Sequence, residues 1–210
     1  LFFAKDLRRL LAQQAAGAWE PFDMDRLEGR TVGIVGYGDI GRAVASRLRP
    51  LGVKVLALRR RPELSRGDAL VCETVPPERL LELMARSDDV VVAAPLTPQT
   101  RGLVGREAIA AMKTTAVLVN VGRGPVVDET ALVAALEQGR IRGAALDVFE
   151  TEPLPPGHAL WRLPNVLLSP HCADHVPGWV DEAMRVFLRQ LERFRREEPL
   201  RDVIDKAAGY

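Results

Sequence analysis

A glycine-rich hexapeptide at residues 36–41, with the sequence GYGDIG, has the G-x-G-x-x-G spacing of a phosphate-binding turn. It follows a short apolar run at 31–35 and opens a segment with helical periodicity at 40–51, and a second apolar run follows at 53–58. This strand–turn–helix–strand context predicts a dinucleotide site, because the helix N-terminus favours a pyrophosphate. An ordinary glycine-rich strand–helix turn is the alternative. The residues predicted to contact the dinucleotide are Gly36, Tyr37, Gly38, Asp39, Ile40 and Gly41.

The second apolar run is followed by Arg59, Arg60 and Arg61, and the next acid is Glu63. A site that selects NAD usually places Asp or Glu about 20 residues after the glycines, where it holds the ribose hydroxyls. A guanidinium can instead bind the 2′-phosphate of NADP through paired hydrogen bonds. Arg59 and Arg60 therefore predict that NADP is favoured over NAD. Because 25 of the 29 basic residues are arginines, a solvated turn without cofactor contact is the alternative.

Apolar runs alternate with helical segments along the rest of the chain. Strands are predicted at 31–35, 53–58, 89–94, 116–120, 143–148 and 166–168, and helices at 2–16, 40–51, 78–86, 106–112, 129–138 and 178–197. Strands that are apolar throughout and alternate with helices predict an α/β fold, a doubly wound parallel sheet of the Rossmann type. Such sheets build their binding sites at the carboxyl ends of the strands.

The composition limits the classes of partner and compartment. Hydrophobic residues make up 47% and charged residues 27%, with a net charge of +1, so no field for binding nucleic acid is expected. No apolar run approaches the roughly 18 residues of a membrane span. Cys72 and Cys172 form no C-x-x-C pair, which favours a reducing cytoplasm. The chain begins at Leu1 as if inside a helix, so we expect it to be a piece of a longer protein.

Four further motifs, together with the glycine turn, resemble the D-isomer-specific 2-hydroxyacid dehydrogenase family. They are residues 94–100 (APLTPQT), 120–124 (NVGRG), 146–153 (LDVFETEP) and 169–171 (SPH). The resemblance runs from about Trp19 to the C-terminus and keeps the family's motif order. It implies an NAD(P)-dependent oxidoreductase that transfers a hydride between the cofactor and a small 2-keto or 2-hydroxy acid, such as glyoxylate or hydroxypyruvate.

The same resemblance implies three catalytic residues. Arg123 would bind the substrate carboxylate in a bidentate pair. His171 would protonate the carbonyl oxygen during reduction and take the proton back during oxidation. Glu152 would hold the imidazole and favour its protonated form. The implied cofactor contacts outside the glycine turn and the arginine run are Pro95, Thr100, Val121, Arg123, Asp147, His171 and Ala173.

Other interpretations are compatible with these residues. The segment 171–175 (HCADH) contains ligands of the kind that bind zinc. Histidines four residues apart share a face only on a helix, which Pro170 and Pro177 disfavour, so no metal is predicted. A dinucleotide-sensing regulatory protein on the same fold is an alternative function, and phosphite or formate oxidation is another. The complete Arg123, Glu152 and His171 set favours the enzyme.

The resemblance also implies a division of the chain. Residues 26–176 would form the dinucleotide-binding domain. Residues 1–25 would form a helix and a connecting segment at a dimer contact, so a homodimer is expected. Residues 177–210 would form a helix and tail that return towards a second, flavodoxin-like substrate domain. Only about 30 residues precede the first strand, so we expect remnants of that domain at the termini and exposed apolar faces on the first and last helices.

Overall fold

A computed structural model describes residues 1–204 and residue 206. Residues 205 and 207–210, which belong to the predicted C-terminal tail, are outside the described part of the chain. Seven strands form one sheet: β1 (Thr31–Val35), β2 (Lys54–Leu58), β3 (Glu73–Val75), β4 (Asp89–Val92), β5 (Val117–Asn120), β6 (Gly143–Leu146) and β7 (Val166–Leu168). The α-helices of the described part are α1 (Leu7–Ala16), α2 (Asp39–Leu48), α3 (Leu80–Arg86), α4 (Arg106–Ala111), α5 (Glu129–Glu137) and α6 (Trp179–Arg195).

The sheet is parallel throughout and has the order β3-β2-β1-β4-β5-β6-β7. The order reverses at β1, where Val35 pairs with Leu58 of β2 on one side and with Val92 of β4 on the other. This is the order of a Rossmann fold, and the predicted doubly wound parallel sheet is confirmed. The reversal creates the crevice in which such sheets bind their ligands.

Both faces of the sheet are buried, which explains the uninterrupted apolar runs. Successive residues of β1 point to opposite faces: Ile34 packs beneath α2 with Ala45, and Val35 packs in the larger core beneath α3, α4 and α5. Leu83 and Leu132 supply that larger core from α3 and α5. Burying each side chain of this size contributes about 1.5–3 kcal/mol, so the strands that carry the site are held firmly.

The structure corrects several predicted boundaries and adds one strand. β3 was not predicted, because only Val75 of its three residues is buried and the strand lies at the sheet edge. The helix predicted from residue 2 begins at Leu7, and the Asp6 side chain accepts the Arg9 N–H. The helix predicted to continue to residue 51 becomes a 3₁₀ turn at Arg49–Leu51, because proline has no N–H to continue the α-helical pattern.

The first and last helices lie on the surface. α1 and α6 contain no buried residue, and α6 exposes large apolar side chains, including Trp179, Phe187 and Phe194. This agrees with the expectation that their apolar faces are uncovered. None of the helices in the described part of the chain has the length and hydropathy to cross a membrane.

Candidate active site

The glycine cradle, residues 36–41, joins β1 to α2 at the carboxyl edge of the sheet. Gly36 has a φ of 98°, and a Cβ there would lie 2.5 Å from the Ala94 backbone. A Cβ on Gly41, in the first turn of α2, would lie 2.3 Å from the Gly36 carbonyl oxygen. A Cβ on Gly38 would meet nothing within 4 Å. Two glycines therefore close the turn, and the third leaves the open space that a pyrophosphate needs beside the helix N-terminus.

A cavity of about 240 Å³ extends from this cradle between the ends of β2 and β4. Thr100 holds the loop that forms its far wall, because its hydroxyl donates to the Pro95 carbonyl at 2.6 Å and accepts the Thr97 N–H at 2.8 Å. The structure thus brings together several residues that the sequence predicted as cofactor contacts. Those that line the cavity are Gly36, Tyr37, Gly38, Arg59, Arg60, Pro95 and Thr100.

The cavity ends at the arginine run. Arg59 directly follows β2, and its Nη1 donates to the hydroxyl of buried Ser65 at 3.0 Å. Arg60 and Arg61 lie beside it, and none of the described residues that line the cavity is acidic. The charge in this region is therefore positive, as a phosphate ligand requires. Ser65 was not predicted; its only sequence signal is that it lies six residues after Arg59.

For three residues of the cradle, the surroundings in the structure do not test the predicted contact with the cofactor. Tyr37 is buried, its N–H donates to the Leu58 carbonyl, and its hydroxyl donates to Asp68 at 3.1 Å. Burial, together with this hydrogen bond, raises the pKa of Tyr37 to about 12. Asp39 and Ile40 are exposed at the start of α2. For Tyr37, whose donors are already used, and for Asp39 and Ile40, cofactor contact stays a prediction.

The histidine cluster, made of Asp147, Glu152, Ser169 and His171, lies at the carboxyl ends of β6 and β7. His171 Nδ1 lies 2.7 Å from Glu152 Oε2, and Glu152 Oε1 accepts the Phe149 N–H at 2.9 Å. Burial opposes ionisation of Glu152. The hydrogen bonds from His171 and Phe149 and the nearby positive charges outweigh it and hold the pKa of this carboxyl below its ordinary value.

Asp147 ties the end of β6 to the loop that carries His171. Its Oδ1 accepts the Ser169 hydroxyl at 2.6 Å and the Cys172 N–H at 3.0 Å, and its Oδ2 accepts the Ala173 N–H at 3.1 Å. Burial alone would raise the pKa of Asp147, but these three hydrogen bonds outweigh it and lower the pKa. Asp147 therefore fixes the loop, and its predicted contact with the nicotinamide stays a prediction.

The loop after β5 presents Arg123 on the same edge of the sheet. Buried Asn120 holds this loop, because its Oδ1 accepts the Gly122 N–H at 3.1 Å and its Nδ2 donates to the Arg123 carbonyl at 3.3 Å. The Arg123 side chain is exposed, and its charge helps to lower the pKa of Glu152. Val121 directly follows Asn120 in this loop, and its N–H donates to the Val92 carbonyl.

A second cavity, of about 660 Å³, opens beside the histidine cluster. His171 and Glu152 lie on its wall, and most of the remaining lining is apolar, including Phe149, Leu154 and Trp161. A cavity of this size accommodates a small organic acid. Within the described residues, no group of three His, Cys, Asp or Glu side chains is arranged to hold a metal ion.

Two positioning residues of the site were not assigned roles from the sequence. Asn120 and Ser169 each come at the end of a strand, inside the quoted motifs, and both bind neighbouring loops rather than solvent. A polar residue that directly follows or ends an apolar strand is the signal that could have found them, because the carboxyl ends of parallel strands meet at one edge.

A parallel sheet of this order, with a glycine turn at its reversal point, defines a dinucleotide-binding protein of the Rossmann class. Residues 1–173 match the family model described as D-isomer specific 2-hydroxyacid dehydrogenase, NAD binding domain, and the chain belongs to this family. The family resemblance stated from the motifs is thereby confirmed, and the predicted dinucleotide cofactor agrees with the domain that matches.

Several known proteins are similar to this chain. A glyoxylate reductase of Korarchaeum cryptofilum is 48% identical over 185 residues, which are 86% of this chain and 54% of that protein. A D-isomer specific 2-hydroxyacid dehydrogenase of Xanthobacter autotrophicus Py2, solved in complex with NADPH and MES, has a TM-score of 0.89 and 38% identity, over 100% of this chain and 84% of that one.

A further solved structure is an NADPH-dependent glyoxylate/hydroxypyruvate reductase of Sinorhizobium meliloti in complex with NADP and sulfate. It has a TM-score of 0.88 and 31% identity, over 100% of this chain and 66% of that one. The chain spans about half the length of the curated relatives it matches, since it covers 54%, 46% and 56% of three glyoxylate reductases.

Proposed function

We propose that the protein is an oxidoreductase that reduces a small 2-keto acid of the glyoxylate or hydroxypyruvate kind to the 2-hydroxy acid, with NADPH as the favoured cofactor. The observation that carries this proposal is the 2.7 Å contact between His171 Nδ1 and Glu152 Oε2, on the same sheet edge as the glycine cradle. A dinucleotide sensor has no need of a proton donor there. The reductase names of several relatives support the same choice.

The residues present fit a nicotinamide dinucleotide. Open space at Gly38 beside the start of α2 suits the pyrophosphate, and the cavity that leads from it ends at Arg59, where a 2′-phosphate would pair with the guanidinium. When bound, the reduced cofactor supplies the hydride. The predicted contacts Val121, Asp147 and Ala173 lie at the same edge of the sheet, in or beside the loops that follow β5, β6 and β7, and would hold the nicotinamide.

The side chains of the histidine cluster supply the proton. With Nδ1 bound to Glu152, the opposite ring nitrogen of His171, Nε2, has no hydrogen bond to the described residues and can donate to the carbonyl oxygen of a 2-keto acid. As a hydride adds to the carbonyl carbon, this proton completes the hydroxyl group. The ionised Glu152 binds Nδ1 and so holds the ring in place, and Arg123 binds the substrate carboxylate through two parallel hydrogen bonds. In oxidation, His171 takes the proton back.

We also propose a domain division, a dimer contact and a cellular location for the protein. We assign residues 26–176 to the dinucleotide-binding domain, residues 1–25 to a homodimer contact and residues 177–210 to a segment that packs on a substrate domain. The exposed apolar side chains of α6 support the last assignment. Both cysteines are free thiols, which supports a cytoplasmic location.

The test is reduction of a panel of 2-keto acids by the complete protein, followed through the absorbance of NADPH and NADH. We expect turnover of glyoxylate or hydroxypyruvate, with NADPH used better. Arg123→Ala should raise KM for the keto acid and lower kcat while NADPH binding is kept, because a charge-assisted pair is lost. Arg47→Ala, at an exposed arginine of α2 that donates to the Ala43 carbonyl of its own helix, is the matched control. Tight NADPH binding with no turnover of any acid would favour the regulatory alternative.

A further inference from the structure

A carboxylate outside the histidine cluster reaches the loop that carries Glu152. Glu129 is the first residue of α5, and its Oε2 accepts the Glu150 N–H at 3.1 Å. Its other oxygen, Oε1, lies 3.4 Å from His158 Nε2. Only 15% of the Glu129 side chain is exposed, so this carboxylate is directed inward, at two segments distant in the chain.

The helix itself does not require this contact. Asp128 caps the start of α5, because its Oδ1 accepts the Ala131 N–H at 2.9 Å. An acid in a first helical turn is favoured by the helix dipole, but that effect needs no inward contact. Glu107 of α4 has the same favourable place, yet it is exposed and makes no hydrogen bond within the described chain. Glu129 therefore has a task that its helix position does not explain.

That task concerns the loop of residues 147–152. Two consecutive N–H groups of the loop donate to two different carboxylates: Phe149 to Glu152 at 2.9 Å, and Glu150 to Glu129 at 3.1 Å. The loop is thus held by a carboxylate of its own, Glu152, and by a carboxylate of α5, Glu129. Because Glu152 holds His171, a shift of the loop would displace the proton donor, and a misplacement of about 1 Å can lower a rate by about 100-fold.

The contact with His158 extends the same anchor to the wall of the larger cavity. His158 Nδ1 accepts the Leu160 N–H at 3.3 Å, at the start of a 3₁₀ turn, Ala159–Arg162. Trp161 of this turn lines the cavity beside His171. A nitrogen that accepts carries no proton, so the proton of neutral His158 lies on Nε2 and faces Glu129.

We propose that Glu129 is a positioning residue for the proton transfer. It fixes the His171–Glu152 pair through the Glu150 N–H, and through His158 it fixes the Trp161 side of the larger cavity beside the histidine cluster. This role rests on the proposed function, because it concerns the same site. What matters is the pair of acceptor oxygens at the right distances, not the charge at the helix start.

The experiment compares four variants of the complete protein. Glu129→Ala removes the acceptor, Glu129→Asp keeps the charge but shortens the side chain, and Glu129→Gln keeps an acceptor oxygen without the charge. Glu107→Ala is the matched control for an acid in a first helical turn. The measurements are kcat and KM, the Kd of NADPH, and the imidazole Nδ1–H resonance of His171 in the protein without substrate, identified by its loss in His171→Gln.

We expect Glu129→Ala and Glu129→Asp to lower kcat by about 10- to 100-fold, with the Kd of NADPH unchanged and the His171 resonance broadened. Glu129→Gln keeps an acceptor oxygen for the Glu150 N–H but loses the acceptor for His158 Nε2, so its kcat should lie between those of Glu129→Ala and wild type. If Glu129→Ala does not fold, the aspartate variant decides. A kcat within twofold of wild type in Glu129→Asp, or an equal loss in Glu107→Ala, would overturn the proposal. If wild type shows no turnover, the proposed function fails, and the resonance still decides whether Glu129 positions His171.

Discussion

The glycine cradle beside β1 and the histidine cluster beside β7 lie on one edge of the same sheet, but different forces shape them. The cradle is defined by backbone approach: at Gly36 and Gly41 a single added carbon would lie within 2.5 Å of main-chain atoms. The histidine cluster is defined by hydrogen bonds to the ionised carboxylates Asp147 and Glu152. The shape of the first region therefore does not depend on pH, whereas the second can be changed by one proton.

Because of this difference, substitutions in the two regions should have different effects on stability and on activity. A substitution at Gly36 or Gly41 acts on packing, so it lowers the stability of the fold and the binding of cofactor together. A substitution of His171 or Glu152 acts on a partly exposed side chain beside the strand ends, so it changes chemistry with little effect on the sheet. Variants in each region therefore test whether stability and chemistry separate in this way.

The largest effect is expected at the proton donor. His171→Gln in the complete protein should lower kcat by roughly 10²–10⁴-fold, the usual contribution of general acid–base catalysis. NADPH affinity, measured by fluorescence titration, should stay near wild type because the cradle is untouched. The control is His175→Gln, which alters a more exposed imidazole four residues away. Unchanged turnover in His171→Gln would remove this residue from the mechanism.

The second prediction concerns two glycines of the cradle. Gly36→Ala should destabilise the chain by roughly 2–6 kcal/mol, the sum of about 1–3 for a strained positive φ and about 1–3 for overpacking against Ala94. Denaturant unfolding measures this free energy. Gly38→Ala is the control, since its Cβ meets open space; it should retain stability and lose cofactor affinity. Equal stability of both variants would show that the cradle is not shaped by packing.

The sequence predicted the cradle better than the histidine cluster, and the reason is physical. The cradle is local: its strand, glycines and helix are contiguous in the chain, so the spacing of the glycines alone predicts how the turn is built. The histidine cluster joins Asp147, Glu152 and His171 from separate loops, and only the family resemblance placed them together. Nothing in the local pattern showed that Asp147 would accept the N–H groups of Cys172 and Ala173, or that Glu129 would accept the Glu150 N–H.

The fold was predictable where burial is complete. Five of the seven strands are apolar runs largely covered on both faces, and β7 is an apolar run at the sheet edge with Leu167 exposed. The order of these runs along the chain required parallel crossovers. β3 was not predicted, because Glu73 and Thr74 are only partly buried at the sheet edge. Glu73 pairs there with Arg79 and Arg86, so its contacts depend on side chains that no periodicity predicts.

A third, smaller effect is expected at the 2′-phosphate side of the cradle. Wild type should bind NADPH about tenfold or more tightly than NADH, since 1.4 kcal/mol corresponds to one decade and a charge-assisted hydrogen bond contributes roughly 1.5–3 kcal/mol. Arg59→Asp should reverse this order, because an acid repels the phosphate and accepts from the ribose. Fluorescence titrations at low and high salt measure both affinities. Arg66→Asp, at an exposed arginine nearby, should leave the ratio unchanged, and tighter NADH binding by wild type would refute the assignment.

The smallest effect tests the pH dependence of the histidine cluster. Asp147 has a lowered pKa in the folded protein and regains an ordinary value of about 3.9 on unfolding. Its stabilisation is therefore complete above that value and is lost as the pH falls through it towards the folded pKa. Asp147→Asn should lower the free energy of unfolding by about 1 kcal/mol at pH 7, and the gap to wild type should narrow below pH ~4. Denaturant unfolding at both pH values measures it, with exposed Asp174→Asn as control. A gap that stays constant with pH would mean that packing, rather than the carboxylate's charge, holds this loop.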